Sequence, residues 1–126
     1  MMLVKELMTR KVYAADEDDN VVSVCKLLTK HNISGIPVVS ESGKLKGFIS
    51  ERDIIAAVPK STFLTLKAKQ LMSRKVRTIP HDAPITQASK IFSEEKYRLL
   101  PVLKANKLVG IIARKDIVKQ MIGHYY

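Results

Sequence analysis

The feature of this sequence that most constrains its fold is an internal repeat. Residues 4–12, VKELMTRKV, recur as AKQLMSRKV at residues 68–76. The same register, with one deletion, later aligns GFISERD at residues 47–53 with GIIARKD at residues 110–116. Self-similarity at this spacing predicts one structural unit built twice, because each copy carries the same hydrophobic pattern and turn residues.

The repeat also predicts the domain limits. We expect a first repeat at residues 1–58, a linker at residues 59–66 and a second repeat at residues 67–126. Each repeat is very small for an independent hydrophobic core, so the two copies are expected to form one compact module.

The first half of each copy predicts a strand followed by a helix. We expect a short strand around Val12 and Val76, after the Leu-Met turn of each copy. In the first copy, Asp-Asp-Asn at residues 18–20 offers an N-cap for the amphipathic segment that follows. In the second copy, Pro84 marks a helix start because proline tolerates the first turn.

The second half of each copy predicts a hairpin and a last helix. Residues 35–50, GIPVVSESGKLKGFIS, predict two apolar strands joined by a Ser-Gly turn. The last helices begin near Glu51 and Arg114. The resulting order is β-α-β-β-α in each copy, an α+β fold. Because a three-stranded sheet cannot bury its faces alone, we expect the copies to pack through their sheets as a pseudo-twofold pair.

Composition narrows the class of protein. The sequence is 46% hydrophobic and 27% charged, as in an ordinary globular domain, and it contains no apolar run long enough to span a membrane. No signal peptide is expected at the start of the chain. Cys25 is the only cysteine, which excludes an internal disulfide and favours a reducing, cytoplasmic location. The formal net charge of +10 favours anionic partners.

The residues that catalysis or metal binding would need are not clustered. The three histidines, His31, His81 and His124, have no cysteine or second histidine at ligand spacing, so no metal site is expected. The acidic run DEDD at residues 16–19 is interpreted as a solvated loop that caps the next helix, with divalent-ion binding as the alternative. No nucleophile–base pair or phosphate-binding loop motif occurs, so an enzyme is not expected.

The repeated Gly-x-x-x-x-x-Asp element carries the strongest functional signal. Gly47, without a side chain, allows close approach of a ligand or of neighbouring backbone. Ser50 and the free N–H groups of the next helical turn would form an anion site. Asp53 can accept hydrogen bonds from a ribose diol, and Arg52 can meet a phosphate. The duplication therefore makes two candidate nucleoside sites. The alternative, which is the commoner role of an aspartate in the first turn of a helix, is that each only caps its helix.

The chain resembles a tandem pair of cystathionine β-synthase (CBS) domains, also called a Bateman module. The resemblance rests on ISGIPVVSESGKLKGFISERDII and YRLLPVLKANKLVGIIARKDIV, each preceded by a Leu-Met-(Thr/Ser) turn, and it covers nearly the whole sequence. It implies a regulatory module that binds AMP, ADP, ATP or S-adenosylmethionine in clefts between the copies. It leaves no room for a catalytic domain in these residues.

The resemblance also implies two unequal clefts. Each would combine the aspartate turn of one copy with the first strand and the pre-proline segment of the other. The family usually has a threonine in that first strand. The first copy has Ala14 at that position, and the second copy has Ala113 in place of the turn hydroxyl. The better site is therefore expected to combine Asp53, Ser50, Arg52 and Thr78, and the weaker one Asp116, Lys115, Ala113 and Ala14.

The segments before the two equivalent prolines supply further candidates. Ser34 and neighbouring backbone, including that of Ile36, would contact an adenine edge in the cleft of Asp116. Arg98 is a candidate phosphate partner, and the alternative is that it is a solvated cation near a helix end. Tyr97 is expected to have a packing role.

Three functions compete at this point. The first is a sensor of adenosine-containing ligands, and the second is a nucleic-acid binder that uses the basic charge. Against the second, the lysines are spread through both copies and the sequence has no tryptophan. The third is a structural dimerisation module with vestigial clefts. A homodimer is expected in all three cases, and the protein target of a sensor is not specified by the sequence.

Overall fold

The computed structural model describes residues 2–125, and side chains for residues 2–122. The terminal sequence GHYY, which the sequence leaves open as a packed tail or partner contact, lies outside the residues with described side chains, and so does His124. The elements are α1 (Val4–Leu7), β1 (Ala15–Asp16), α2 (Val21–His31), β2 (Gly35–Val39), β3 (Leu45–Ser50), α3 (Glu51–Ala57), a 3₁₀ helix (Phe63–Thr65), α4 (Ala68–Leu71), β4 (Ile79–Pro80), α5 (Ile85–Glu94), β5 (Leu99–Lys104), β6 (Lys107–Ala113) and α6 (Arg114–Tyr125).

The described residues form two compact units that exchange their first segments. Tyr13–Val76 forms one, here called the first-repeat unit. Residues 2–12 join residues 77–125 in the other, here called the second-repeat unit. The start of each sequence repeat therefore folds onto the body of the other repeat. Where the domains divide along the sequence, at residues 58 and 67, remains a prediction.

Each unit contains one three-stranded sheet with the same topology. β1 pairs parallel with β2, which pairs antiparallel with β3, and β4, β5 and β6 repeat this order. The prediction of a hairpin in each copy is confirmed. Gly43, with φ of +85°, provides the left-handed backbone in the first hairpin turn.

The predicted position of the first strand is wrong by a few residues in both copies. Parallel pairing begins only at Ala15, opposite Val38, and at Ile79, opposite Val102. Val12 and Val76 belong instead to a connection, because the residues just before them pair with the far edge of a sheet. After pairing with the edge strand of one unit's sheet, the chain continues into the other unit and joins the parallel side of that unit's sheet.

The helix boundaries follow the predicted caps. Asn20 is the N-cap of α2, where its side-chain oxygen accepts a hydrogen bond from the Val22 N–H at 2.8 Å. Asn32 ends this helix in the left-handed conformation. Pro84 is the N-cap of α5, and α3 and α6 begin at Glu51 and Arg114, as predicted.

The exchanged segments complete the core of each unit. Ala68 and Leu71 of α4 belong to the buried cluster of the first-repeat unit, together with residues of α2 and the β2–β3 hairpin. Val4 and Met8, the counterparts of Ala68 and Met72, belong to the buried cluster of the second-repeat unit. Removing either segment would expose apolar surface, so the exchange is part of the packing of both units.

Candidate ligand-binding turns

The turn from β3 to α3 in the first-repeat unit is a reciprocal capping box. Oδ2 of Asp53 accepts hydrogen bonds from the Ser50 N–H at 2.8 Å and from the Ser50 hydroxyl at 2.9 Å. The Ser50 hydroxyl in turn accepts a hydrogen bond from the Asp53 N–H at 3.2 Å. The interpretation of Asp53 as a helix cap is therefore confirmed, and any ligand role must be compatible with it.

One oxygen of Asp53 remains available. Among residues 2–125, no hydrogen bond or ion pair engages its Oδ1 atom, and the side chain is only partly buried. The neighbouring Arg52 is exposed and takes part in none of the ion pairs of the described chain. The turn thus presents one carboxylate oxygen next to one guanidinium group.

The expectation that the first turn of this helix offers a set of free N–H groups is wrong. The Glu51 N–H donates to the Ser34 carbonyl at 2.9 Å, and the Asp53 N–H donates to the Ser50 hydroxyl. Only the Arg52 N–H of these three has no acceptor among the described residues. An anion would consequently depend on the Arg52 side chain rather than on a cluster of backbone donors.

The equivalent turn in the second-repeat unit keeps the aspartate and loses the hydroxyl. Oδ2 of Asp116 accepts a hydrogen bond from the Ala113 N–H at 2.7 Å. No side chain among the described residues accepts a hydrogen bond from the Asp116 N–H, because the side chain of Ala113 has no oxygen atom. The adjacent Lys115 is exposed.

The segments before the two prolines lie directly beside these turns. Ser34 bonds through its carbonyl to the Glu51 N–H, and the Arg98 carbonyl accepts equivalently from the Arg114 N–H at 3.1 Å. The side chains of Ser34, Arg98 and Tyr97 are exposed. Ile36 has 0% exposure, a fraction that counts its backbone as well as its side chain.

Thr78 lies apart from these residues in the chain. It immediately precedes β4 in the second-repeat unit and is partly exposed, whereas Ser50, Arg52 and Asp53 belong to the first-repeat unit. Ala14 likewise belongs to the first-repeat unit, and Asp116 to the second.

The repeated glycines are explained by packing. A Cβ atom at Gly47 would lie 2.7 Å from the Ser73 carbonyl oxygen and 2.5 Å from the Met72 sulfur. Phe48 and Ser73 exchange two backbone hydrogen bonds at this point, each 2.9 Å long. Gly110 packs in the same way against Met8. The repeated Leu-Met-(Thr/Ser) turn and the repeated glycine therefore contact each other in each unit. Sequence reasoning missed this contact, although both motifs recur in the repeat.

The acidic run before α2 borders an open depression of about 620 Å³. Its lining comprises Asp16, Glu17, Asp18, Asp19, Val39, Ser40, Glu41 and Ser42. Asp18 forms an ion pair with Lys69 at 3.1 Å, and a hydrogen bond from Lys69, with the charges of Lys69 and Lys67, lowers the pKa of the Asp18 carboxyl. No group of carboxylates, histidines or cysteines among the described residues is arranged to hold a metal ion.

A ring contact that the sequence did not predict joins Tyr13 and His31. Their ring centroids are 3.5 Å apart and the planes are nearly parallel, at 14°. His31 is the last residue of α2. Both residues are partly buried in the first-repeat unit, so the contact packs the C-terminal end of α2 against the connection before β1.

Comparison with protein families identifies the chain. The CBS domain model matches twice, at residues 4–60 and 68–123. The chain therefore belongs to the CBS domain family, with two copies of the domain. The CBS domain-containing protein YhcV of Bacillus subtilis is 31% identical over 123 residues, which cover 96% of this chain and 87% of YhcV.

Solved structures share the fold. CBSX2, crystallised in complex with AMP, has a TM-score of 0.88 at 24% identity, with 98% of each chain covered. The CBS domain pair of protein MJ0100, in complex with 5′-methylthioadenosine and S-adenosyl-L-methionine, has a TM-score of 0.81 at 29% identity, again with 98% of each chain covered. Within residues 2–125, no helix combines the length and the apolar character that crossing a membrane requires.

Proposed function

We propose that this CBS domain pair is a non-catalytic regulatory module, located in the cytoplasm, that binds an adenosine-containing ligand. The observation that carries the proposal is the β3–α3 turn, where Oδ1 of Asp53 has no partner among the described residues while Oδ2 is fixed by Ser50. A carboxylate held in this way is a preorganised acceptor for hydroxyl groups of a ribose.

The similarity to the MJ0100 domain pair supports the ligand class. That protein binds 5′-methylthioadenosine and S-adenosyl-L-methionine, which share the adenosine group and carry no phosphate. In this chain, the adenosine group would be held by Asp53, with Arg52 available to a phosphate where the ligand has one. AMP, ADP, ATP and S-adenosylmethionine are the candidates.

The remaining predicted residues enter the proposal with separate roles. Thr78 would contribute a hydroxyl from the second repeat to the Asp53 site, and Arg98 would meet a phosphate. Ser34 and the backbone beside it would meet an adenine edge at the Asp116 site. Gly47 acts through packing, because Met72 and Ser73 occupy the space beside it. Asp116 and Lys115 would form a weaker site, since the adjacent turn lacks the hydroxyl.

Regulation would follow from differential binding. A ligand shifts a conformational equilibrium only by the difference between its affinities for the two states. The module would therefore report the ligand concentration to a protein partner through whichever state the ligand favours.

The test is calorimetric titration and thermal unfolding with 5′-methylthioadenosine, S-adenosylmethionine, AMP, ADP and ATP, and with GTP as a control. A ligand that binds the folded state raises the unfolding midpoint. The informative variant is Asp53→Asn, which keeps an oxygen for the cap and replaces the free oxygen by an NH₂ group. Loss of a charge-assisted hydrogen bond should weaken binding about 10- to 100-fold.

The matched control is Asp116→Asn, the equivalent change in the other unit, which should leave the main binding event nearly unchanged. Thr78→Ala combined with Asp53→Asn tests whether the two residues act on one ligand, because coupled contacts give non-additive losses. Equal affinity of wild type and Asp53→Asn would remove this turn from the site. No binding of any adenosine compound at millimolar concentration would reject the proposal and favour a structural or nucleic-acid-binding role.

A further inference from the structure

The second-repeat unit contains a two-point ion pair close to two of the candidate ligand residues. The guanidinium group of Arg77 donates from Nε to Oε1 of Glu95 and from Nη2 to Oε2, each at 3.1 Å. Two parallel hydrogen bonds fix the orientation of the two groups as well as their distance. Among the described residues, no other side-chain hydrogen bond joins residues 74–78 to residues 95–98.

The ion pair lies where two strands of the sheet begin. Thr78 directly follows Arg77 in the chain and directly precedes β4. Arg98 follows Glu95 closely and directly precedes β5, the strand that pairs parallel with β4. The ion pair therefore joins the two chain segments that carry Thr78 and Arg98.

The first-repeat unit has a different contact at the same two positions of the repeat. In the repeat register, Tyr13 is the counterpart of Arg77, and His31 is the counterpart of Glu95. The stacked rings of Tyr13 and His31 therefore stand where the second-repeat unit has its ion pair.

The segments joined by this ring contact are also equivalent. Ala14 directly precedes β1, and Ser34 directly precedes β2, which pairs parallel with β1. They are the counterparts of Thr78 and Arg98. Two chemically unrelated contacts thus join the same two segments, which indicates that joining them matters more than the chemistry of the contact.

We propose that Arg77 and Glu95 are positioning residues of the adenosine site, because their ion pair holds the segments of Thr78 and Arg98 together. This inference rests on the proposed function, in which Thr78 and Arg98 contact the ligand. Arg77 and Glu95 act through those two residues, since segments already fixed in place have less freedom to lose when a ligand binds. The ring contact has the same role for the weaker site.

The two contacts differ in their response to salt. The side chains of Arg77 and Glu95 are 43% and 37% exposed, so dissolved ions screen their attraction. The stacking of Tyr13 on His31 does not depend on a pair of opposite charges. Added salt should therefore weaken binding of an uncharged ligand at the Asp53 site by loosening the ion pair.

Calorimetric titration with 5′-methylthioadenosine, which carries no phosphate, tests the positioning role. Arg77→Ala and Glu95→Ala should each weaken binding about threefold to fivefold, the amount expected for one exposed ion pair. The double alanine variant should lose no more than either single variant, because both residues act through one contact. Arg77→Tyr combined with Glu95→His copies the first-repeat contact, and it should restore most of the affinity and remove the salt dependence.

Arg74→Ala is the matched control. Arg74 is exposed and forms none of the ion pairs of residues 2–125, so this variant removes the same charge and should leave the affinity unchanged. Thermal unfolding checks that each variant is folded. Amide hydrogen exchange of the ligand-free protein gives a second readout, and exchange before β4 and β5 should be faster in Glu95→Ala than in Arg74→Ala.

Four results would overturn the proposal. Equal affinities of wild type and both alanine variants would remove the positioning role and leave the proposed function intact. Weaker binding of AMP by Arg77→Ala, with 5′-methylthioadenosine unaffected, would show that Arg77 contacts the phosphate directly. Unchanged hydrogen exchange in Glu95→Ala would show that the ion pair does not hold the segments. No binding by the wild-type chain would reject the proposed function and the positioning role together.

Discussion

The two helix-start turns have one backbone design, and only one of them has a hydroxyl group on its N-cap residue. In both units, the aspartate three residues into the turn accepts a hydrogen bond from the N-cap N–H. Only the first-repeat unit adds a hydroxyl, which closes the capping box at Ser50. The comparison teaches that the repeated aspartate has a capping role in both copies, and that ligand binding is a separate property to be tested at each turn.

The two units can also be compared at the packing contact of the repeated glycine. Gly47 faces Met72 and the Ser73 carbonyl, and Gly110 faces Met8 and the Thr9 carbonyl. The first contact is tighter with respect to backbone, since the Cβ–oxygen distance would be 2.7 Å at Gly47 and 3.1 Å at Gly110. Backbone moves less readily than a methionine side chain, so the two glycines should not tolerate substitution equally.

The largest predicted effect follows from this difference. Gly47→Ala should lower the free energy of unfolding by about 1–3 kcal/mol, because the added methyl group overlaps a carbonyl oxygen. Gly110→Ala should cost less, because Met8 can change its rotamer. Urea unfolding of the two variants measures both values. A greater loss at Gly110 would contradict the packing comparison.

A smaller effect is predicted at the cap itself. Ser50→Ala should destabilise the protein by about 1 kcal/mol, as is typical for removing an N-cap hydroxyl. Ala113→Ser, which supplies the missing hydroxyl to the second-repeat unit, should stabilise it by a similar or smaller amount. The double variant moves the hydroxyl from one unit to the other, and its stability should lie near that of wild type.

Denaturant unfolding checks this exchange. Ser23→Ala is a suitable control, because Ser23 is exposed within α2 and no side-chain hydrogen bond of the described chain involves it. If Ala113→Ser left stability unchanged while Ser50→Ala reduced it, the two turns would differ in more than the hydroxyl.

Much of the fold was predictable from sequence because local signals agreed with the tertiary structure. The duplication, the hairpins, the Asn20 cap and the starts of α3 and α6 all rest on short-range patterns. The position of the first strand was not predictable in this way. Whether Val12 or Ala15 begins the parallel pairing depends on contacts of the preceding turn with Phe48 and Ile111, which are remote in sequence.

The residues that form the candidate site could be predicted from the sequence, but their hydrogen bonds could not. The repeated motif identified Ser50, Arg52 and Asp53 as neighbours. It did not reveal that Ser34 and Ser50 already accept the Glu51 and Asp53 N–H groups, because those bonds depend on how the hairpin meets the helix. How Thr78 relates to these residues remains a prediction that the binding experiments test.

The smallest predicted effect concerns the loops before α2 and α5. Asp18 pairs with Lys69 at 3.1 Å, whereas its counterpart Asp82 forms none of the ion pairs of residues 2–125. The lysines lower the pKa of folded Asp18 below its ordinary value of 3.8. The stabilisation is therefore complete above that ordinary value and is lost as the pH falls through the lower, folded pKa.

Asp18→Asn should accordingly be slightly less stable than wild type at neutral pH, and the difference should shrink as the pH falls below 3.8. Added salt should reduce the difference as well, because the pair is exposed. Thermal unfolding of Asp18→Asn and Asp82→Asn across this pH range measures the contrast. Parallel pH profiles for the two variants would show that the ion pair contributes nothing, and the acidic loop would then be held only by the backbone bonds from α4 to Glu17 and Asp19.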